Sequence, residues 1–281
     1  MSLLDLSDPG DLVAPLLVAS FDGWVDAGSA ATIAASRLAK GAATIATFDA
    51  DRLYDYRARR PTLEIIDGRP DRLTWPELTV RRAQFAGRDL LILSGPEPDY
   101  RWRDLAQATA DLAQRLKVVA WISLGAIPAA TPHTRPVTIL GTESRSGLLR
   151  GGVVPGPDGI LRVPSAAISV LDLAVSRAGV AAVGYFAQIP HYVTGDYPPA
   201  SVELLRLVGL HLDGDIVMGE LRDDARRVLA RLDAATAADD NTRAHVERLE
   251  AMVDEARRPA GGDLITEIEQ FLRDQGGRDR S

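Results

Sequence analysis

Six short apolar runs punctuate the first two thirds of the chain, at residues 16–19, 43–47, 90–93, 118–122, 137–140 and 180–186, each closed by glycine, proline or charge. Runs of this length mark strands covered on both faces. Helical patterns lie between several of them. Residues 29–40 are Ala-rich, residues 102–116 place Leu105, Leu112 and Leu116 near one face, and residues 166–177 repeat apolar positions at helical spacing. Alternation of strand and helix predicts an α/β domain with a largely parallel sheet. Residues 62–66, an Asp67-Gly68 turn and residues 73–82 read as hairpin-like strands, with Pro76 keeping that segment at an edge because proline has no N–H to donate.

Beyond Ser201 strand patterns vanish. Stripes at Leu221, Val228 and Leu232, then Val246, Leu249 and Val253, then Ile265, Ile268 and Leu272 mark the buried faces of helices. The breaks between them fall at Asp213-Gly214, at Asp239-Asp240-Asn241 and at residues 259–262. The expected division is an α/β core over residues 1–212 and a helical region over residues 213–281 packed on it.

A formal charge of −7 argues against nucleic acid and anionic membranes as partners. The absence of cysteine excludes disulfides, thiolate metal sites and cysteine catalysis, and fits a reducing compartment. The first eight residues lack a basic head and a long apolar run, and no later stretch is long enough to span a bilayer, so a cytoplasmic protein is expected.

In open α/β sheets ligands gather beyond the carboxyl ends of the strands. Here those ends deliver Asp22, Trp24 and Asp26; then Ser94, Glu97, Asp99 and Tyr100; then Ser123, Thr131 and His133; then Thr142 and Glu143; and finally Gln188, His191, Tyr192, Asp196 and Tyr197. If the strands run together, these five loops share one edge and line one cleft. His191 is the best candidate general acid or base, with Asp26 or Asp196 to orient it, because imidazole chemistry suits proton transfer near neutrality. Asp22 or Asp26 would position a hydroxyl or a water. Trp24, Glu143, Gln188, Tyr192, Asp196 and Tyr197 complete the candidate ligand-binding set. The competing reading makes Asp22 and Asp26 helix caps and the proline-bounded loop an anchor for backbone.

Gly23 and Gly28 are spaced as in a phosphate-binding loop, yet Ser29 follows Gly28 directly where that loop needs lysine, and Asp22 and Asp26 would repel an anion. No Gly-x-Ser-x-Gly elbow presents a nucleophile. His133, His211 and His245 show no paired-ligand spacing, so no metal centre or other cofactor is expected; Asp22, Asp26 and Glu143 as Mg²⁺ ligands would look the same as caps.

Residues 21–31 and 188–201, with residues 56–61, 93–99, 125–128 and 265–273, resemble in order the proteasome assembly chaperone 2 family, in its actinobacterial branch. The resemblance spans nearly the whole chain. It implies a three-layer α/β/α core of phosphorylase/hydrolase-like type, a helical C-terminal part and self-association, with trimers as one form. It also implies a protein partner, proteasome-related by the family's name. Some archaeal relatives engage proteasomes through a C-terminal hydrophobic residue, a tyrosine and one more residue. Residues 277–281 lack that pattern, so any such docking is expected to use another surface.

Three functions stand from the sequence: a non-enzymatic binding or assembly protein, an enzyme cleaving a small polar substrate by hydrolysis or phosphorolysis, and an oligomeric ligand sensor.

Overall fold

Alternate residues of the strand Leu16–Asp22 (β2) enter opposite cores. Leu16 and Val18 pack with one set of helices, and Leu17, Ala19 and Phe21 with another. Each such side chain withdrawn from water contributes about 1.5–3 kcal/mol for a Leu or Val. A strand paid from both faces is therefore held at the centre of a three-layer sandwich. The structure is a computed structural model and describes residues 3–157 and 159–256.

The remaining elements in chain order are β1 (Leu4–Leu6) before β2, then α1 (Ala30–Leu38), β3 (Ala43–Phe48), α2 (Ala50–Leu53), β4 (Thr62–Ile66), β5 (Arg69–Thr74), β6 (Thr79–Phe85) and β7 (Arg88–Pro96). They continue with α3 (Trp102–Arg115), β8 (Ala120–Ala129), β9 (Ile139–Glu143), α4 (Ala167–Arg177), β10 (Ala181–Pro190), α5 (Pro198–His211), α6 (Leu221–Ala238) and α7 (Asp240–Ala256). Eight strands form one sheet in the order β1-β3-β6-β7-β2-β8-β10-β9. Helices α1 and α5 cover one face, joined by Leu221 and Val228 of α6, while α3 and α4 cover the other. All six apolar runs lie in or overlap strands of this sheet.

The sheet is less parallel than the alternation predicts. Only β7, β2, β8 and β10 run parallel to one another, and β9, β6, β3 and β1 are joined antiparallel. The turn Ala86-Gly87 between β6 and β7, with φ of 49° and 77°, is the kind that reverses a chain in two residues. Asp67-Gly68, at φ 50° and 76°, does the same between β4 and β5, as the sequence predicts.

The segment 73–82 is two strands. Pro76 falls in the gap between β5 and β6, which removes the donor a continuous ladder would need. β5 pairs only with β4 in a separate hairpin, whereas β6 lies inside the main sheet between β3 and β7 rather than at an edge.

Helix α6 packs on α5, and α7 folds back on α6. Asp239 sets the corner by accepting the Thr242 N–H at 2.7 Å, as an N-terminal capping carboxylate does. Ile265, Ile268 and Leu272 lie outside the described residues. Among those described, no helix is long and apolar enough to cross a membrane.

Candidate functional site

Because β2, β7, β8 and β10 point the same way, their carboxyl ends deliver residues 22–29, 97–101, 130–137 and 191–197 to a common rim. The loops are tied to one another through backbone. Glu97 N–H donates to Asp22 O at 2.8 Å, Ala126 N–H to Val25 O at 2.7 Å, His191 N–H to Ala129 O at 3.1 Å and Tyr197 N–H to Gly28 O at 2.8 Å. Trp24 and Tyr192 thus belong to linked loops.

Asp22 ends β2 and is exposed, and Trp24 beside it is 70% exposed. Asp26 caps α1, its Oδ1 accepting the N–H groups of Ala31 at 2.8 Å and Thr32 at 3.3 Å, while its Oδ2 is buried and makes no hydrogen bond. Burial raises the Asp26 pKa against the lowering pull of the Thr32 side chain and the two amides, with Asp22 adding to the rise.

His191 is exposed, and its Nδ1 turns to the Ala129 carbonyl at 3.2 Å rather than to Asp26 or Asp196. A carbonyl only accepts, so Nδ1 carries the proton. Gln188 is half-buried within β10, and its N–H donates to Thr138 O. Asp196 is exposed in an open groove of about 860 Å³ beside Asp224, Arg227 and Arg231 of α6. Tyr197 is buried, which pushes its phenol pKa up.

Gly28 makes the contact between the two signature loops possible. It sits at φ +61°, and a Cβ there would lie 2.8 Å from Tyr197 Cβ. Gly28→Ala is expected to cost about 2–3 kcal/mol, combining backbone strain with overpacking. Urea unfolding measures the loss, and hydrogen exchange should find the Tyr197 amide less protected; an unchanged amide would refute the coupling.

Glu143 does not reach this rim. β9 runs antiparallel to β10, and Glu143 pairs with Val183 near the amino end of that strand. Its carboxylate accepts the N–H groups of Gly147, Leu148 and Leu149, the closest at 2.8 Å. Burial works to raise its pKa, but the amides outweigh it and hold the carboxyl below its ordinary range. Asp22, Asp26 and Glu143 are therefore divided between two rims. Among the described residues no group of three or more His, Asp or Glu is arranged to hold a metal ion.

Three histidines that are far apart in the sequence meet around Tyr192. The Tyr192 hydroxyl accepts the His133 backbone N–H at 2.8 Å and lies within hydrogen-bond distance of His133 Nδ1, at 2.7 Å. The His245 ring of α7 stands 5.3 Å from that of His191 and 6.1 Å from that of Tyr192. Helix α7 roofs this side of the rim, burying Val246 and Leu249, and Arg135 pairs with Glu250 at 3.1 Å and Asp254 at 2.7 Å. His211 stands apart. It bonds the Tyr185 hydroxyl at 2.8 Å, and burial, aided by the Arg150 charge, lowers its pKa to about 4.

Two acidic groups matter more than their place in the sequence suggests. Glu97, almost buried, accepts the Trp24 N–H at 3.0 Å and the Ala167 N–H at 2.7 Å, clamping the β2 loop to the start of α4. Asp172 of α4 accepts the Trp121 Nε1–H at 2.6 Å and the Ser123 hydroxyl at 3.1 Å beneath a pocket of about 280 Å³. Burial pushes its pKa up to about 7 against both hydrogen bonds.

The PAC2 family model matches residues 20–236. A Corynebacterium glutamicum protein of unknown function is 29% identical over 90% of this chain and 98% of its own, with a TM-score of 0.83. A PAC2 family protein from Streptomyces avermitilis is 34% identical over 78% of this chain and 95% of its own, at 0.72. A Mycobacterium tuberculosis proteasome-assembly chaperone homologue is 32% identical over 82% of this chain and 99% of its own, at 0.75. No curated protein matches the chain. With more than three quarters of its length matched by the family model and these folds superposed on it, the chain belongs to the PAC2 family.

Proposed function

We propose that the chain is a protein-binding factor of the assembly-chaperone type that associates with copies of itself. The observation that carries this reading is the β4–β5 hairpin, which stands off the main sheet with Leu63, Ile65, Ile66, Leu73 and Trp75 between 44% and 61% exposed. Leu63 and Leu73 pair across the hairpin and so share a face, and Tyr56 packs edge-on against Trp75 at 4.7 Å. A two-stranded hairpin is marginal alone in water, and apolar groups gathered in this way are what an interface covers. The likeness to a proteasome-assembly chaperone homologue supports the same reading. So does the use of Glu97, Asp26 and His191 to hold backbone at the rim.

The double variant Leu63→Arg, Leu73→Arg tests it. In sedimentation velocity the wild type is expected to run as an oligomer, a trimer by the family resemblance, and the variant as a monomer with unchanged circular dichroism. In native mass spectrometry, wild type is expected to capture proteasome subunits from its own organism and the variant to lose them. A monomeric wild type that captures none would overturn the proposal.

A second reading, hydrolysis or phosphorolysis of a small polar substrate, draws on the unpartnered Oδ2 of Asp26 at the rim. A substrate screen with His191→Ala and Asp26→Asn decides it, since equal turnover in both variants and wild type would remove these groups from catalysis.

A further inference from the structure

β2 and β7 are adjacent and parallel, yet the helices that follow them, α1 and α3, lie on opposite faces of the sheet. Their loops diverge and leave a crevice at the carboxyl ends, the position where open α/β sheets take ligands. An open pocket of about 280 Å³ occupies it on the α1 side. Its floor is a row of hydroxyls across three strands, because Ser20 pairs with Ser94 and Ser94 with Thr79. Ser20 and Thr79 are 1% and 5% exposed, and none of the three hydroxyls has a hydrogen-bond partner among the described residues. These hydroxyls open on the pocket, where a polar guest can take the place of water.

Charge is distributed unevenly around the row. Asp22 and Glu77 are exposed, and Arg81, two residues along β6 from Thr79, is half-buried; all three line the pocket. None of these three is engaged in an ion pair among the described residues. Separated, uncommitted charges of opposite sign with hydroxyls between them match a ligand that carries both signs itself. We propose that this crevice binds a small zwitterion of the α-amino-acid class, its ammonium at Asp22 and Glu77, its carboxylate at Arg81, and its remaining polar atoms on Ser20, Ser94 and Thr79. A carboxylate on guanidinium and an ammonium on carboxylate are both charge-assisted contacts, which makes the charged ends the determinants of affinity. The site is separate from the hairpin, so it stands or falls independently of the protein-binding reading.

The test uses the full chain and the twenty free α-amino acids, screened by ligand-observed NMR. At least one is expected to bind, and its N-acetyl and methyl-ester forms, each missing one charge, are expected to lose binding. Asp22→Asn and Arg81→Gln should each weaken the hit by about tenfold or more, the equivalent of about 1.4 kcal/mol. No binding by any of the twenty, undiminished binding of the blocked forms, binding unaffected by either variant, or ribose binding as tightly as the hit would each overturn the proposal. The blocked ligands decide the matter on wild-type protein even where a variant folds poorly.

Discussion

Asp172→Asn is expected to stabilise the protein above neutral pH and to change little in acid. Below about pH 4 the Asp172 carboxyl is protonated in both folded and unfolded chains and carries no penalty. Above that, the unfolded chain ionises while the folded one keeps its proton up to about 7, so stability falls by about 1.4 kcal/mol per pH unit across the interval. Allowing for partial access of solvent through the pocket, the accumulated penalty above pH 7 is about 2–4 kcal/mol. Asparagine removes it while still accepting from Trp121 and meeting Ser123. Urea unfolding at pH 5 and pH 8 measures the difference, and Trp121 emission should titrate near 7 only in the wild type. A variant whose gain is the same at both pH values would show that burial does not raise this group.

Glu97→Ala should be among the most damaging single changes in the chain. It strands two N–H donors, the buried one of Ala167 and the partly buried one of Trp24, and removes the negative charge from the N-terminus of α4. The expected loss is about 3 kcal/mol, from about 1–3 kcal/mol per unsatisfied group. Gln, with one oxygen and one amide, restores only one of the two acceptors and should recover part of it. Thermal unfolding ranks the three proteins, and hydrogen exchange should show the Trp24 and Ala167 amides losing protection together. If they open independently, Glu97 is not the clamp.

The core was legible in the sequence because every central strand is apolar on both faces, and the runs at 16–19, 90–93 and 180–186 need no tertiary information to be read as strands. Strand direction was not. Residues 137–140 look the same whether β9 runs with β10 or against it, and the reversal carries Glu143 to the far rim. β1 is three residues long with Asp5 between two leucines, too short for any period to declare itself. Pro76 signalled an interruption, but whether it edged one strand or separated two depended on where β6 found its partners.

The rim was legible as a set of loops and opaque as a set of contacts. Asp26 reads as a cap and is one. The meeting of His133, His191 and His245 joins segments up to 112 positions apart and depends on α7 folding back, which no local pattern encodes. Asp172 carries no signal of its own within the helical pattern of residues 166–177. Its partners Trp121 and Ser123 come from β8, 51 and 49 residues earlier, and only the packing of α4 on the sheet brings them together.

The roof over the rim bears on how the molecule is born. Arg135 waits 115 residues for Glu250, and Tyr192 waits for His245. A nascent polypeptide folding from its amino end completes its sheet while α7 is still inside the ribosome. During that interval His133, His191 and Tyr192 stand uncovered, and stalled translation products ending before residue 240 would leave them so permanently.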